Sequence, residues 1–343
     1  MDGAFGPFKA RRALGWLGFA AELRQVVRMR AVLIIGLFLL CAIGAGAQQA
    51  DPLQTALDPY AAYQTGVSAS IDADISSAGA MDASLMRAAQ YDPAQLARSR
   101  LAYAALTAAQ SPAFVAGVQS RVRAAGRAAV LRQLQRDPTY ARRRPPGAAQ
   151  ATALVLTSMA ADVARLRAAS AHYEAIGNSI GNAAWNTPLD PTHRDARNTG
   201  LRALASQAPP LAPELVSRIH VGAASGGAPH DRDAFGGTGF WDALGGRAAA
   251  APVPQDIRLR RDRASVMDRA LTLGALYVIG ATPTESARVN AMLNDPPTRT
   301  CLAMQQLEFR QCVSVSHTPD EDAFCLARHG LSGVADCLGA IMQ

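Results

Sequence analysis

Residues 149–184 read AQATALVLTSMAADVARLRAASAHYEAIGNSIGNAA. Leu156, Met159, Val163, Leu166, Ser170, Tyr173, Gly177 and Ile180 recur at three- and four-residue spacing. That is the period of an amphipathic helix with one buried stripe. Sustained over this length, it predicts the seam of a helical bundle. Alanine, the strongest helix former, fills many of the remaining positions. Gly177 and Gly181 are expected to let a second helix approach closely.

The same grammar extends in both directions. Upstream, Asp58-Pro59, Asp92-Pro93 and Ser111-Pro112 each pair a capping residue with a proline suited to the first helical turn. Tyr63, Val67, Ile71 and Ile75 recur every four residues and predict a buried face. The helix opening at Ser111 is expected to carry Val115, Val118, Val122 and Ala129 and to end before Asp137-Pro138. The run Arg142-Arg143-Arg144-Pro145-Pro146-Gly147 is a turn. Residues 51–184 thus form a helical bundle.

Downstream, residues 185–260 are rich in Pro and Gly and are read as a loop region, with short helical pieces near 198–207 and 213–222. Residues 261–343 return to helix. Ala264–Ile279 is apolar, and Thr282–Glu285 and Thr318–Glu321 have the form of capping boxes. One helix carries Cys301 and Cys312, and another carries Cys325, interrupted by Gly330 and Gly333 before Cys337. The predicted class is all-α: a helical bundle with a loop-rich middle and a disulfide-stapled C-terminal helical hairpin.

Composition agrees with a folded globular chain: 343 residues, 49% hydrophobic and 18% charged. The net charge of +7 points toward nucleic acid or an anionic surface. Its distribution argues otherwise. Lys9, Arg11, Arg12, Arg24, Arg28 and Arg30 against Asp2 and Glu22 put +4 into residues 1–47, leaving +3 for the rest.

That N-terminal stretch reads as an export signal. Residues 31–47, AVLIIGLFLLCAIGAGA, follow Arg24, Arg28 and Arg30 and end in a small-x-small motif. Cleavage is expected between Ala47 and Gln48. The apolar run of about 17 residues is at the short limit of a membrane span, so the alternative is an uncleaved inner-membrane anchor. Cys41 follows Leu40, where a lipoprotein signal needs a small residue. Residues 29–47 make a signal of ordinary length by themselves, so Met29 is read as the start and 1–28 as an upstream extension. The mature chain is then periplasmic or secreted. Cys41 leaves with the signal, and Cys301, Cys312, Cys325 and Cys337 remain, an even number suited to an oxidising compartment.

The spacings C-x10-C, C-x12-C and C-x11-C lack the close pairs of structural zinc sites, so no metal is assigned. Cys301 and Cys312 share a helix face about 16 Å apart. A disulfide needs α-carbons within about 7 Å, so an intact helix keeps these two from each other. A second helix returning antiparallel would pair inner with inner and outer with outer. This arrangement resembles the twin-cysteine hairpin of the coiled-coil–helix–coiled-coil–helix family, over residues 301–337 and with different spacing. The resemblance implies nested bridges, Cys312–Cys325 and Cys301–Cys337, and no activity. Of the other two pairings, 301–312 with 325–337 demands broken helices in both halves. The pairing 301–325 with 312–337 demands parallel helices that a twelve-residue connection hardly permits. Reduction is expected to loosen this C-terminal part before the N-terminal bundle. The stretches Leu307–Cys312 and Glu321–Leu326 also resemble the C-terminal end of uncharacterised exported bacterial proteins.

Chemistry-bearing motifs are few. Gly177-Asn178-Ser179-Ile180-Gly181 matches the nucleophile-elbow pattern, which requires a preceding strand; here the preceding residues are helical. His220, His230, Asp231 and Asp233 surround a glycine-rich loop and are the candidates for an acid–base or ligand site. Eight arginines between Arg121 and Arg144, against the single acid Asp137, are read as flanking a buried stripe with their stems packed. They lack the interleaved aromatics of a single-strand nucleic-acid platform. No catalytic residue and no cofactor is assigned. The expected function is a non-enzymatic structural or interaction protein of the cell envelope, its partner another envelope protein or an anionic envelope polymer rather than nucleic acid. The alternative is an envelope hydrolase or ligand-binding protein using the 220–246 loop.

Overall fold

The computed structural model describes residues 51–209, 211, 240–244 and 256–343. The export signal with Ala47 and Gln48, and the loop candidates His220, His230, Asp231 and Asp233, lie outside the described residues.

Among the described residues the α-helices of five or more residues are α1 (Asp58–Ile71), α2 (Ala78–Ala89), α3 (Pro93–Ala108), α4 (Pro112–Ala125), α5 (Arg127–Arg136), α6 (Ala148–Ile180), α7 (Pro191–Leu204), α8 (Phe240–Leu244), α9 (Ala264–Val278), α10 (Ser286–Met292), α11 (Pro296–Val315), α12 (Pro319–Cys325) and α13 (Gly333–Gly339). There is no strand among the described residues; a single antiparallel bridge joins Leu259 to Met342. No single described helix is long and apolar enough to cross a membrane.

Of the expected capping residues, Asp92 caps with its side chain, Ser111 and Thr318 hold the N-cap position without a side-chain bond, and Asp58 is already helical behind Leu57. Asp92 accepts from the Gln95 amide at 2.7 Å, and Asp190, followed by Pro191, accepts from the His193 amide at 3.1 Å. The second of these begins α7 earlier than the helix expected near residue 198. The helix expected from Ser111 to Arg136 is broken at Gly126, whose φ of 84° suits glycine and strains other residues. Thr282–Glu285 forms a turn and α10 starts only at Ser286, because the Thr282 hydroxyl is bonded to the Asp51 carboxylate instead of capping a helix.

α6 is the centre of the fold. Its eight seam residues, from Leu156 to Ile180, are all buried. α1 and α3 pack on it, and so do α12, α13 and the segment between them. At Gly177 an added Cβ would lie 3.0 Å from the Phe324 ring and 3.2 Å from the Asp320 carbonyl, so this glycine admits α12. Gly181 meets no neighbour within 4 Å and has no such role.

The C-terminal hairpin pairs α11 with the α12–α13 arm through Cys301–Cys337 and Cys312–Cys325, each with α-carbons 5.6 Å apart. The two arms differ in spacing: Cys312 lies eleven positions after Cys301, and Cys337 twelve positions after Cys325. In a regular α-helix one extra residue turns a side chain through about 100° and off the shared face. Leu326–Ser332 is π-helical, and its wider turn takes up the extra residue. Gly330 and Gly333 therefore lie in a continuous arm, where the sequence suggested an interruption. The hairpin is not an appendage: its return arm packs along α6, and α11 packs on α3.

Gly147 joins the arginine-rich turn to α6 at φ 84°, and an added Cβ would lie 2.2 Å from the Ala113 carbonyl carbon. Gly147→Ala is therefore expected to lower the unfolding free energy, measured by urea denaturation, by clearly more than the ~1 kcal/mol that an unfavourable backbone conformation costs alone. Gly181→Ala, with open space around it, is the control and should be near neutral.

Candidate functional site

The interior holds charge in three places, each joining helices distant in sequence. At the centre, Arg165 of α6 is ion-paired with Asp162 at 3.2 Å and with Asp242 of α8 at 3.1 Å. Its Nη2 also donates to the Gln64 carbonyl and side-chain oxygen of α1, each at 2.9 Å. The Tyr60 hydroxyl donates to Asp162 at 2.6 Å, and the Ser68 hydroxyl to Asp242 at 3.2 Å. Tyr60 and Tyr103 stack at 5.0 Å, and Trp241 packs against both. Burial pushes the Asp162 carboxyl up to about 6, against the opposing pull of Arg165 and the Tyr60 hydrogen bond.

A second cluster holds α3, α9 and the start of α11. Arg100 meets Asp295 Oδ2 at 3.5 Å, the Thr298 hydroxyl donates to that same oxygen at 2.8 Å, and Arg269 meets Oδ1 at 3.3 Å. In a third, Arg197 of α7 pairs with Asp322 of α12 at 2.5 Å and donates to the Val313 carbonyl at 3.0 Å. Asp322 also accepts from Ser316, and burial raises its carboxyl despite that contact and Arg197. Removing one member of such a buried set strands the others at high cost.

The described histidines are dispersed. His172 meets the Ala73 carbonyl at 2.9 Å, His193 the Asp82 carboxylate at 2.6 Å, His317 the Arg194 guanidinium at 3.0 Å, and His329 the Glu308 carboxylate at 3.4 Å. The partly exposed His193–Asp82 pair spans 111 positions; its only local signal is the Asp190-Pro191 helix start that precedes His193. No group of three metal-ligating side chains converges among the described residues. Ser179 lies inside α6 and donates to the Ile176 carbonyl at 2.9 Å, so the elbow motif is helical.

The arginine run is divided by the bend at Gly126, so its members do not share one helical wheel. Arg127 donates to the Ile279 and Gly280 carbonyls, each at 3.0 Å, and Arg121 to the Arg144 carbonyl at 2.9 Å. Arg142 pairs at 2.5 Å with Asp268 of α9, whose side chain is buried. Arg123, Arg132, Arg136, Arg143 and Arg144 are exposed. Split over two helices and a turn, they are expected to give weak heparin retention, released at low salt and little changed by Arg143→Ala/Arg144→Ala. Tight, salt-sensitive retention lost in that variant would establish an anion-binding face. Arg142 stays in place in this test because its loss would disturb Asp268.

The largest concavity among those described is a groove of about 750 Å³ on the outer side of α6. Val163, Ala164 and Ala168 of α6 line it together with Ile257, Arg260 and Met342. The backbone pairing of Arg258 with Gln343, at 2.9 Å in both directions, holds the C-terminal residues beside it. An exposed Arg167–Asp336 ion pair of 3.4 Å lies at its margin.

No family model, curated protein or solved structure matches this chain. The reading of its function therefore rests on its own residues.

Proposed function

We propose that the chain is an exported, non-enzymatic structural or interaction protein of the cell envelope, periplasmic or secreted after cleavage between Ala47 and Gln48. The observation that carries this reading is the use made of the interior ionisable groups. Arg100, Arg165 and Arg197 with Asp162, Asp242, Asp295 and Asp322 are buried between helices and spent on one another. Such groups hold a shape and are out of reach of a substrate. Two disulfides add the covalent bracing that oxidising, extracytoplasmic compartments allow. The partner is another envelope protein or an anionic envelope polymer. The protein then stands with the uncharacterised exported bacterial proteins that its last helices resemble, its hairpin being of the twin-cysteine type. A second reading is an envelope hydrolase or ligand-binding protein using the 220–246 loop, which carries His220, His230, Asp231 and Asp233.

Expression from Met29 tests compartment and chemistry together. The extracytoplasmic fraction is expected to yield a mass beginning at Gln48; a mass retaining residues 31–47 would establish an anchor. Peptidoglycan, peptide and ester substrates should be left intact. Turnover that disappears in His220→Ala/His230→Ala/Asp231→Ala/Asp233→Ala would replace the interaction reading with a hydrolase.

A further inference from the structure

α8 is five residues long, too short to be helical on its own. Its conformation is imposed by what it enters. In sequence it is bounded by glycines, Gly236, Gly237 and Gly239 before it and Gly245 and Gly246 after it. Yet its side chains reach the centre of the molecule: Trp241 is 2% exposed and Asp242 0%. A glycine-bounded aromatic–acidic segment thus sits in a socket built by α1, α3 and α6.

The socket has two parts. Tyr60 and Tyr103 form an aromatic wall, with ring centroids 6.0 Å and 5.5 Å from Trp241, and Phe240 packs edge-on to that indole at 4.7 Å. Beyond it, Arg165 Nε faces Asp242 at 3.1 Å and the Ser68 hydroxyl donates to the same carboxylate oxygen. The rest of the guanidinium is fixed independently of α8. Nη1 is held by Asp162, and Nη2 by both oxygens of Gln64. Asp162 is held in turn by Tyr60. The socket therefore presents an apolar slot beside an oriented cation, both built from bundle residues of α1, α3 and α6. Preorganisation of this kind lowers the cost of binding a separate ligand.

We propose that this socket is a peptide-recognition site for a segment of two adjacent aromatic side chains followed by a carboxylate, filled here in cis by Phe240-Trp241-Asp242. The same chemistry presented in trans, by a partner protein carrying such a segment, would compete for it. The inference goes beyond the interaction reading by naming what is recognised. Failure of export or the discovery of a hydrolase would leave it standing.

The test uses the full mature chain with Phe240→Ala/Trp241→Ala/Asp242→Ala, which removes all three side chains from the socket, and a dye-labelled peptide GTGFWDALGG, residues 237–246. Fluorescence anisotropy is expected to show saturable binding and the thermal midpoint to rise with peptide. A peptide carrying Asn in place of the acid should bind about 10-fold or more weakly, as loss of a charged hydrogen-bond partner implies. Wild-type chain should bind far less, because its own segment competes at an effective concentration on the order of millimolar. A variant with wild-type helicity that ignores the peptide, or takes a scrambled one equally, overturns the proposal. If the variant does not fold by itself, refolding with the peptide should restore its helicity and the scrambled peptide should not. Absence of that rescue also overturns it.

Discussion

Arg165→Met is expected to destabilise the protein by about 3–5 kcal/mol, the cost of breaking a buried ion pair from one side. Its two partners, Asp162 and Asp242, are 3% and 0% exposed at the side chain and would be left as neighbouring acids without their cation. Set against a total stability of roughly 5–15 kcal/mol, this is a large fraction. Urea denaturation measures it, and adding Asp242→Asn to the variant should recover part of the loss by removing one stranded charge. A loss below about 1 kcal/mol would mean that the central cluster does not hold α1, α6 and α8 together.

The same cluster sets a pH dependence. The Asp162 carboxyl is raised from its ordinary 3.8 to about 6, so the folded chain binds this proton more tightly than the unfolded chain. Stability from this group is therefore highest below pH about 4, falls as the pH rises from about 4 to about 6, and is level above that. Asp162→Asn should flatten that part of the profile. Arg165→Met should be less harmful at pH 5 than at pH 8, because protonation relieves the stranded acids.

Loss of the bridges is the second large effect. In the chain-entropy account, the inner bridge, with a separation of 13 residues, contributes about 3 kcal/mol. The outer, with 36, contributes about 4 kcal/mol. Cys301→Ala/Cys337→Ala should thus cost more than Cys312→Ala/Cys325→Ala. Reading the sequence alone, one expects reduction to loosen the C-terminal helices first. Their packing along α6 predicts a different result: the reduced protein should melt at lower temperature in one transition. In a Trp185→Phe background, Trp241 fluorescence, reporting the centre, and exchange of the α11 amides, reporting the hairpin, should change together. Two separated transitions would show that the hairpin folds as an independent unit.

The all-helical class was legible because its signals are local. The 3–4 spacing from Leu156 to Ile180, the Asp-Pro starts and the abundance of alanine act within a few residues, and the structure buries that seam. The stapled end was legible for a related reason. Four cysteines within residues 301–337 and a helix that keeps Cys301 from Cys312 leave few ways to close two bridges. At Thr282 the local signal failed because a distant group intervened: Asp51 took its hydroxyl and left Thr282–Glu285 a turn.

The central cluster had no such local mark. Gln64, Asp162, Arg165 and Asp242 come from three helices, and nothing near Trp241 in the chain says that it is buried. The sequence alone determined the helical class, the helix-opening signals, the cysteine framework and the expectation of export, because each depends on neighbours along the chain. Only the tertiary structure decided that Arg165 is a shared cation, that Phe240–Asp242 fills a socket, and that a π-helical stretch brings Cys337 onto the face of Cys325. Those depend on which helix faces meet and at what register, and the energies that choose between registers arise from contacts between residues far apart in sequence.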